Sequence, residues 1–338
     1  MKFFQTAMQF ASKERNLIHQ ADYKRVAAPK SSTIFEITSV TPKNIEYISD
    51  TLKRSGQSAD TYQDCPIYYL TTLREGGWMI RADDSVIFAG MHPHDDDVVL
   101  LFPERSKDNE LSLTQNVLAL PFLGKRKISF ARRNASEADR IQAVCKFPIR
   151  EYIDPLMDWV YPIHILDTEK VARMHGSRFI KIRNKVRRAQ SIVSEIRRVD
   201  GNASQILLDA FALWLERMRR LSGDSHEGAA RYYASAVSLL QQSPRCLNGL
   251  YAISEHGQIV GATFWSATIQ KVGNLYINIC DPSIVGLSDL LLTEACKLAF
   301  LDGVIAMNLG GSEISTLNDF KEKYEPKLSL QVSSYRIA

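Results

Sequence analysis

Residues 247–280 read LNGLYAISEHGQIVGATFWSATIQKVGNLYINIC. Three runs rich in β-branched and aromatic residues, Leu247–Glu255, Ile259–Thr268 and Asn274–Cys280, are separated by His256-Gly257 and by Lys271–Gly273. Connections this short and polar suit tight turns, so the stretch predicts three antiparallel strands in sequence. Downstream, the apolar run Leu287–Leu301 predicts a helix and Val304–Leu309 a strand. Gly310-Gly311 then leads into a helix over Ile314–Tyr324, with Ser312 opening it, and Leu328–Ile337 predicts a last strand. Upstream, helical periodicity covers Ala229–Gln241 and Ala203–Arg220, either side of a polar loop, Ser222–Gly228. A strand at Ser194–Val199 and a basic helix from Ser177 to about Ser191 come before these. An aromatic, β-rich run, Met157–Leu166, precedes that helix.

From Ser194 onward the order is strand, two helices, three antiparallel strands, helix, strand, helix, strand. That is the order of the GCN5-related N-acyltransferase fold, a mixed sheet with helices on both faces. The first half has a comparable list of elements. A helix over residues 2–20 and a strand at Thr33–Thr38 come first, and Thr41-Pro42 then opens a helix. Strand-like runs follow at Pro66–Leu73, Trp78–Ala82, Ser85–Met91 and Val98–Phe102, with helices at Leu111–Leu120 and Ser136–Lys146. The chain is therefore predicted to be α/β (α+β), with two tandem GCN5-related N-acyltransferase-like domains, each a mixed sheet flanked by helices. The division falls at 1–155 and 156–338.

At 338 residues, 45% hydrophobic and 24% charged, the chain can build two cores and is too apolar for disorder. Five cysteines without a CxxC pair argue against structural zinc and for a reducing, cytoplasmic compartment. The apolar start is broken by Gln5 and Gln9, which does not read as a secretory signal. No run of about 18 apolar residues occurs, so no membrane-spanning helix is expected. A Walker A loop, a GxSxG elbow, GxGxxG after a strand and HExxH are all missing, which removes the main support for ATPase, hydrolase and dehydrogenase readings. The stretch Met91-His-Pro-His-Asp-Asp-Asp-Val lies between two predicted strands, where clustered Asp is turn chemistry, and no metal site is expected there.

Two signals bear on chemistry. Between Arg173 and Arg198 stand nine Arg or Lys and one acid, Glu195, a local charge of +8. Within it Phe179, Ile182, Val186 and Ala189 recur at helical spacing, while Arg178, Lys181, Lys185 and Arg188 form one cationic stripe flanked by Arg183 and Arg187. Like charges without i,i+4 acids repel each other, so the stripe makes more sense facing a polyanion. The second signal is the run from Asn308 to Pro326, in which glycines at a strand end let backbone amides approach a ligand and Lys321 follows on a helix.

Met157-Asp-Trp-Val-Tyr, then Leu166-Asp-Thr-Glu-Lys-Val-Ala and Met174-His-Gly-Ser-Arg-Phe-Ile-Lys-Ile-Arg-Asn-Lys-Val-Arg-Arg-Ala, resemble the phosphatidylglycerol lysyltransferase C-terminal domain family. The ending, Asn308-Leu-Gly-Gly-Ser with Phe320-Lys-Glu-Lys-Tyr-Glu-Pro, is similar to that family's closing motif and to the ending of Fem-type peptidoglycan aminoacyltransferases. The similarity covers about residues 155–338. It implies a soluble aminoacyltransferase that moves an aminoacyl group from aminoacyl-tRNA to an amine or hydroxyl of a small-molecule, peptide or lipid-headgroup acceptor. Aminoacyl-tRNA would be the co-substrate and no further cofactor is implied.

Under this reading Lys321 is the catalytic charge stabiliser. Trp265, Tyr276, Asn278, Asn308, Gly310, Gly311, Ser312 and Tyr324 line the substrate, and Arg178, Lys181, Arg183, Asn184, Lys185, Arg187 and Arg188 hold tRNA phosphates. Donors carrying a pyrophosphate need a glycine-rich loop opening a helix, whereas Asp281–Leu290 offers one glycine, Gly286, and an acid, Asp289. Acyl-CoA is therefore the second choice of donor, and a non-catalytic RNA- or anion-binding module is a third reading. A homodimer is left open.

Overall fold

The computed structural model describes residues 23–27, 34–73, 77–106, 111–119, 126–145, 147–154, 157–222, 226–267 and 270–337. The helix expected over 2–20 lies outside them. The chain divides into two units, Met1–Pro162 with Gly311–Ile314 and Leu330–Ala338, and Ile163–Gly310 with Ser315–Ser329.

The first unit is built on an eight-stranded mixed sheet. Its first seven strands in chain order are β1 (Tyr23–Ala27), β2 (Ile34–Ser39), β3 (Gly77–Ala82), β4 (Ser85–His92), β5 (Asp95–Leu101), β6 (Lys127–Arg133) and β7 (Ile149–Tyr152), and the eighth comes from the end of the chain. The strands expected at Trp78–Ala82, Ser85–Met91 and Val98–Phe102 are present and pair antiparallel, with Met79 opposite Phe88 and Met91 opposite Val99. β5 then runs parallel to β6, a strand with no counterpart in the sequence reading. Helices α1 (Ile45–Arg54), α2 (Pro66–Thr72), α3 (Ser112–Val117) and α4 (Ala135–Val144) complete this part. Phe35, Ile80, Ile87, Val99, Leu101, Val117, Phe130 and Ile141 form its core.

The strand expected at Pro66–Leu73 is helix α2 instead. Pro66 stands in its first turn, where a missing N–H costs nothing, and Pro66 to Thr71 are all buried. An apolar run buried on every side has no periodicity to separate strand from helix.

The second unit begins at β8 (Ile163–Asp167), α5 (Thr168–Arg173), α6 (Ile180–Gln190) and β9 (Val193–Arg198). Two long helices follow, α7 (Ala203–Ser222) and α8 (Glu227–Gln242), and then the meander β10 (Asn248–Ser254), β11 (Ile259–Ala267) and β12 (Val272–Cys280). Its pairings are antiparallel, with Leu250 opposite Thr263 and Thr263 opposite Asn278. Helix α9 (Leu287–Leu301) crosses back to β13 (Ala306–Asn308), which pairs parallel to β12. α10 (Ser315–Glu322) and β14 (Leu328–Leu330) follow. The sheet order is β14-β8-β13-β12-β11-β10-β9.

α9 buries Leu287, Leu290, Leu291, Leu292, Ala295, Cys296 and Ala299 in the same core as Phe179, Ile182, Val186 and Ala189 of the basic helix segment. A fully buried leucine is worth about 1.5–3 kcal/mol, so this packing, rather than helix propensity, holds a stripe of like charges in helical form.

Two runs expected to be single strands are divided. Met157–Leu166 becomes a strand only from Ile163; before it, Met157 and Trp159 are buried in a turn, and Trp159 donates its indole N–H to Ser334 Oγ at 2.8 Å. Leu328–Ile337 breaks at Gln331-Val332. Its second piece, β15 (Ser333–Ile337), sits between β6 and β7 in the sheet of the first unit.

Candidate active site

Lys321 lies in the last turn of α10 and is 7% exposed. Its Nζ donates to the carbonyl of Gly310 at 3.3 Å. That carbonyl is presented by a turn at the end of β13: Asn308, fully buried, accepts the Gly310 N–H on Oδ1 at 2.8 Å, and Gly310 takes φ +68°. The left-handed backbone favours glycine here. A buried ammonium needs oxygen partners, so its position is closely determined.

One turn earlier on α10, Asn318 Oδ1 lies 2.8 Å from Nε2 of His164, a β8 residue that is 1% exposed. With the amide oxygen as acceptor, Nε2 carries the proton and Nδ1 accepts the Ser329 hydroxyl at 2.9 Å. The His164 carbonyl also accepts Leu309 N–H at 2.8 Å. His164 thus ties together β8, the β13 turn, α10 and the segment after it. Sequence reasoning missed this residue; the one available signal was a polar side chain inside the apolar strand Ile163–Leu166.

Tyr324 is fully buried and donates its hydroxyl to Asp289 Oδ1 at 2.5 Å, and Lys323 Nζ lies 2.6 Å from the same oxygen. Burial, followed by the Asp289 charge, pushes the Tyr324 phenol well above its usual range, so it remains a neutral donor. Burial also lowers the Lys323 ammonium pKa, against the opposing pull of Asp289. Asp289 stands in the first turn of α9, whose N-cap Gly286 has φ +91°. A Cβ at Gly286 would come within 2.2 Å of the Lys185 carbonyl oxygen. The start of α9 is therefore pressed against the backbone of the basic helix and carries a buried carboxylate.

The other expected lining residues fall as follows. Trp265 is buried in the core with Leu291, and Tyr276 is buried with its carbonyl accepting the Tyr232 hydroxyl at 2.8 Å. Asn278 donates to the Ser288 carbonyl at 3.2 Å and braces the first turn of α9. Gly311 and Ser312 belong to the first unit. Ser312 does not open the helix, which starts at Ser315; its carbonyl instead accepts the Tyr161 N–H at 2.9 Å in an isolated bridge. This bridge brings the chain across Asp158. A Cβ at Gly311 would stand 2.0 Å from the Asp158 carbonyl oxygen and 2.8 Å from that of Tyr161, both backbone atoms. Gly311→Ala is expected to cost about 1–3 kcal/mol by forcing the backbone apart. A lowered urea midpoint with an unchanged slope checks it.

On the basic helix, Phe179, Ile182, Val186 and Ala189 are buried as their spacing predicted, and Lys181, Asn184, Lys185, Arg187 and Arg188 are exposed. Those four cations have no acidic ion-pair partner among the described residues. Arg183 is spent locally: it donates to the carbonyls of Met174 and of Gly176, the latter at 2.9 Å, closing the end of α5. Arg178 is paired with Glu325 at 2.5 Å.

At the end of β4, His92 is buried and donates from Nε2 to Asp154 Oδ2 at 2.7 Å, while Nδ1 accepts the His94 N–H at 3.1 Å. Both ring nitrogens of His92 are therefore already engaged within the protein. Among the described residues no helix is long and apolar enough to cross a membrane.

No protein-family model and no curated protein matches the chain. Solved structures do. A conserved protein of unknown function from Bacteroides thetaiotaomicron superposes with a TM-score of 0.71 at 16% identity, over 89% of this chain and 99% of that one. L-PGS from Bacillus licheniformis gives 0.60 at 13% identity, over 88% and 92%. FemX gives 0.57 at 10% identity, over 89% and 96%. The second and third of these are of the two kinds that the motifs resemble. The chain thus shares the fold of the L-PGS and FemX structures, two units each built on a mixed sheet with helices, as the order of elements predicted.

Proposed function

We propose that this protein is an aminoacyltransferase that takes its acyl group from aminoacyl-tRNA and passes it to an amine or hydroxyl of a small-molecule, peptide or lipid-headgroup acceptor, in the cytoplasm. The observation that carries this reading is the start of α9. A donor with a pyrophosphate needs bare amides there. This chain instead packs the Lys185 carbonyl onto Gly286 and buries Asp289 among Tyr324 and Lys323. Beside it, Lys181, Lys185, Arg187 and Arg188 offer positive charge to a phosphate backbone.

The chemistry asks little of the protein. The ester of aminoacyl-tRNA is already activated. The acceptor nitrogen or oxygen attacks its carbonyl carbon, the carbonyl π pair moves onto oxygen, and the C–O bond to ribose then breaks as the acceptor's proton passes to the departing ribose oxygen. Charge builds on oxygen in the transition state. In this reading the Lys321 ammonium, held on the Gly310 carbonyl, stabilises that charge. Asn318, positioned by His164, sets the helix that carries Lys321.

Isothermal titration separates the donors. Bulk tRNA is expected to bind with strong salt dependence, and CoA to give no micromolar binding. Micromolar CoA affinity without tRNA binding would replace this reading with an acyl-CoA-dependent one.

A further inference from the structure

Glu325 follows α10 in a left-handed turn, φ +53°, with its N–H on the Glu322 carbonyl at 2.9 Å. Its two carboxylate oxygens serve two different cations. Oε2 accepts from Lys170 Nζ of α5 at 2.6 Å, and Oε1 accepts from Arg178, in the turn ahead of α6, at 2.5 Å. Neither cation has a second acidic partner among the described residues. Hydrogen bonds from Lys170 and Arg178 hold the Glu325 carboxyl below the usual carboxylate range, so it is an anion throughout neutral pH.

One anionic group with two oxygens, each taken by a cation from a separate element, is the arrangement a phosphodiester would occupy with its two non-bridging oxygens. Arg178 is also the first member of the exposed stripe that continues through Lys181, Lys185 and Arg188. Its side chain is 81% exposed, so a larger anion can reach it. Ion pairs this open to solvent are weak and easily exchanged.

We propose that Lys170 and Arg178 form a phosphate seat at the end of the basic stripe, and that the Glu325 carboxylate fills this seat until a nucleic-acid phosphate displaces it. This rests on the nucleic-acid reading above. The seat adds Lys170, outside the stripe, to the binding surface. Glu325 acts as an internal competitor: an anion that engages only the seat gains little, whereas one that also spans Lys181, Lys185 and Arg188 can drive the exchange.

The test uses the full chain, unfractionated deacylated tRNA and fluorescence anisotropy across a salt series. Glu325→Gln keeps the shape and removes the charge. It is expected to tighten binding about five- to tenfold at low salt and to steepen the salt slope by up to about two, one for each cation released. Changing Lys170 and Arg178 together to Gln should cost clearly more in the Glu325→Gln background than in the wild type, because only there are both cations vacant. Unchanged affinity and slope in Glu325→Gln, or equal losses in the two backgrounds, would overturn the seat while leaving tRNA binding intact. A wild-type chain with no tRNA affinity would overturn the seat and the donor reading together.

Discussion

Replacing Lys321 by Ala is expected to slow single-turnover transfer from a saturating donor by on the order of 10²–10³. The ammonium is buried and held on a backbone carbonyl, so its position is set before any substrate arrives. A group that acts only on charge developing in the transition state changes kcat and leaves donor affinity alone. Lys321→Met, which keeps the aliphatic stem, controls for packing and should show the same loss. A drop of tenfold or less, about 1.4 kcal/mol, with fold and donor binding intact would mean that another group stabilises the charge.

The second large effect concerns the basic helix. Changing Lys181, Lys185 and Arg188 together to Ala is expected to flatten the dependence of log K for tRNA on log salt by up to about three units, because each phosphate contact contributes roughly 0.9 on duplex nucleic acid. All three side chains are exposed, and the buried face of the helix is left untouched. The variant should therefore melt at or above the wild-type temperature, since three mutually repelling charges are gone. Unchanged affinity and slope would sink the proposal that this helix carries the phosphates. The two experiments are independent: the first reads a rate at saturation, and the second an affinity without chemistry.

Much of the second unit was legible from local pattern. The meander from Asn248 to Cys280 pairs as its turns predicted, and helix α9 covers the range that its apolar run indicated. The resemblance placed Lys321, and the fold buries it on Gly310. His164 was missed because a single polar residue in a strand does not say what lies across from it. The packing of Gly286 on Lys185, and of Gly311 on Asp158, involves residues about 100 or more apart in sequence, and no window along the chain contains both partners.

The division follows the reach of each cause. Turn chemistry and the spacing of apolar residues act within a few positions, so the amphipathic basic helix, its buried Phe179, Ile182, Val186 and Ala189 and the order of strands and helices from Ser194 to Tyr324 were available from the amino acids alone. Which partner a backbone finds is decided by what the rest of the chain brings alongside. That is why Pro66–Thr72, buried from Pro66 to Thr71, became a helix. It is also why one run near the end divides, with Leu328–Leu330 in one sheet and Ser333–Ile337 between two strands of another. A strand's side-chain pattern says that it needs a neighbour, and only the assembled sheets supply which one.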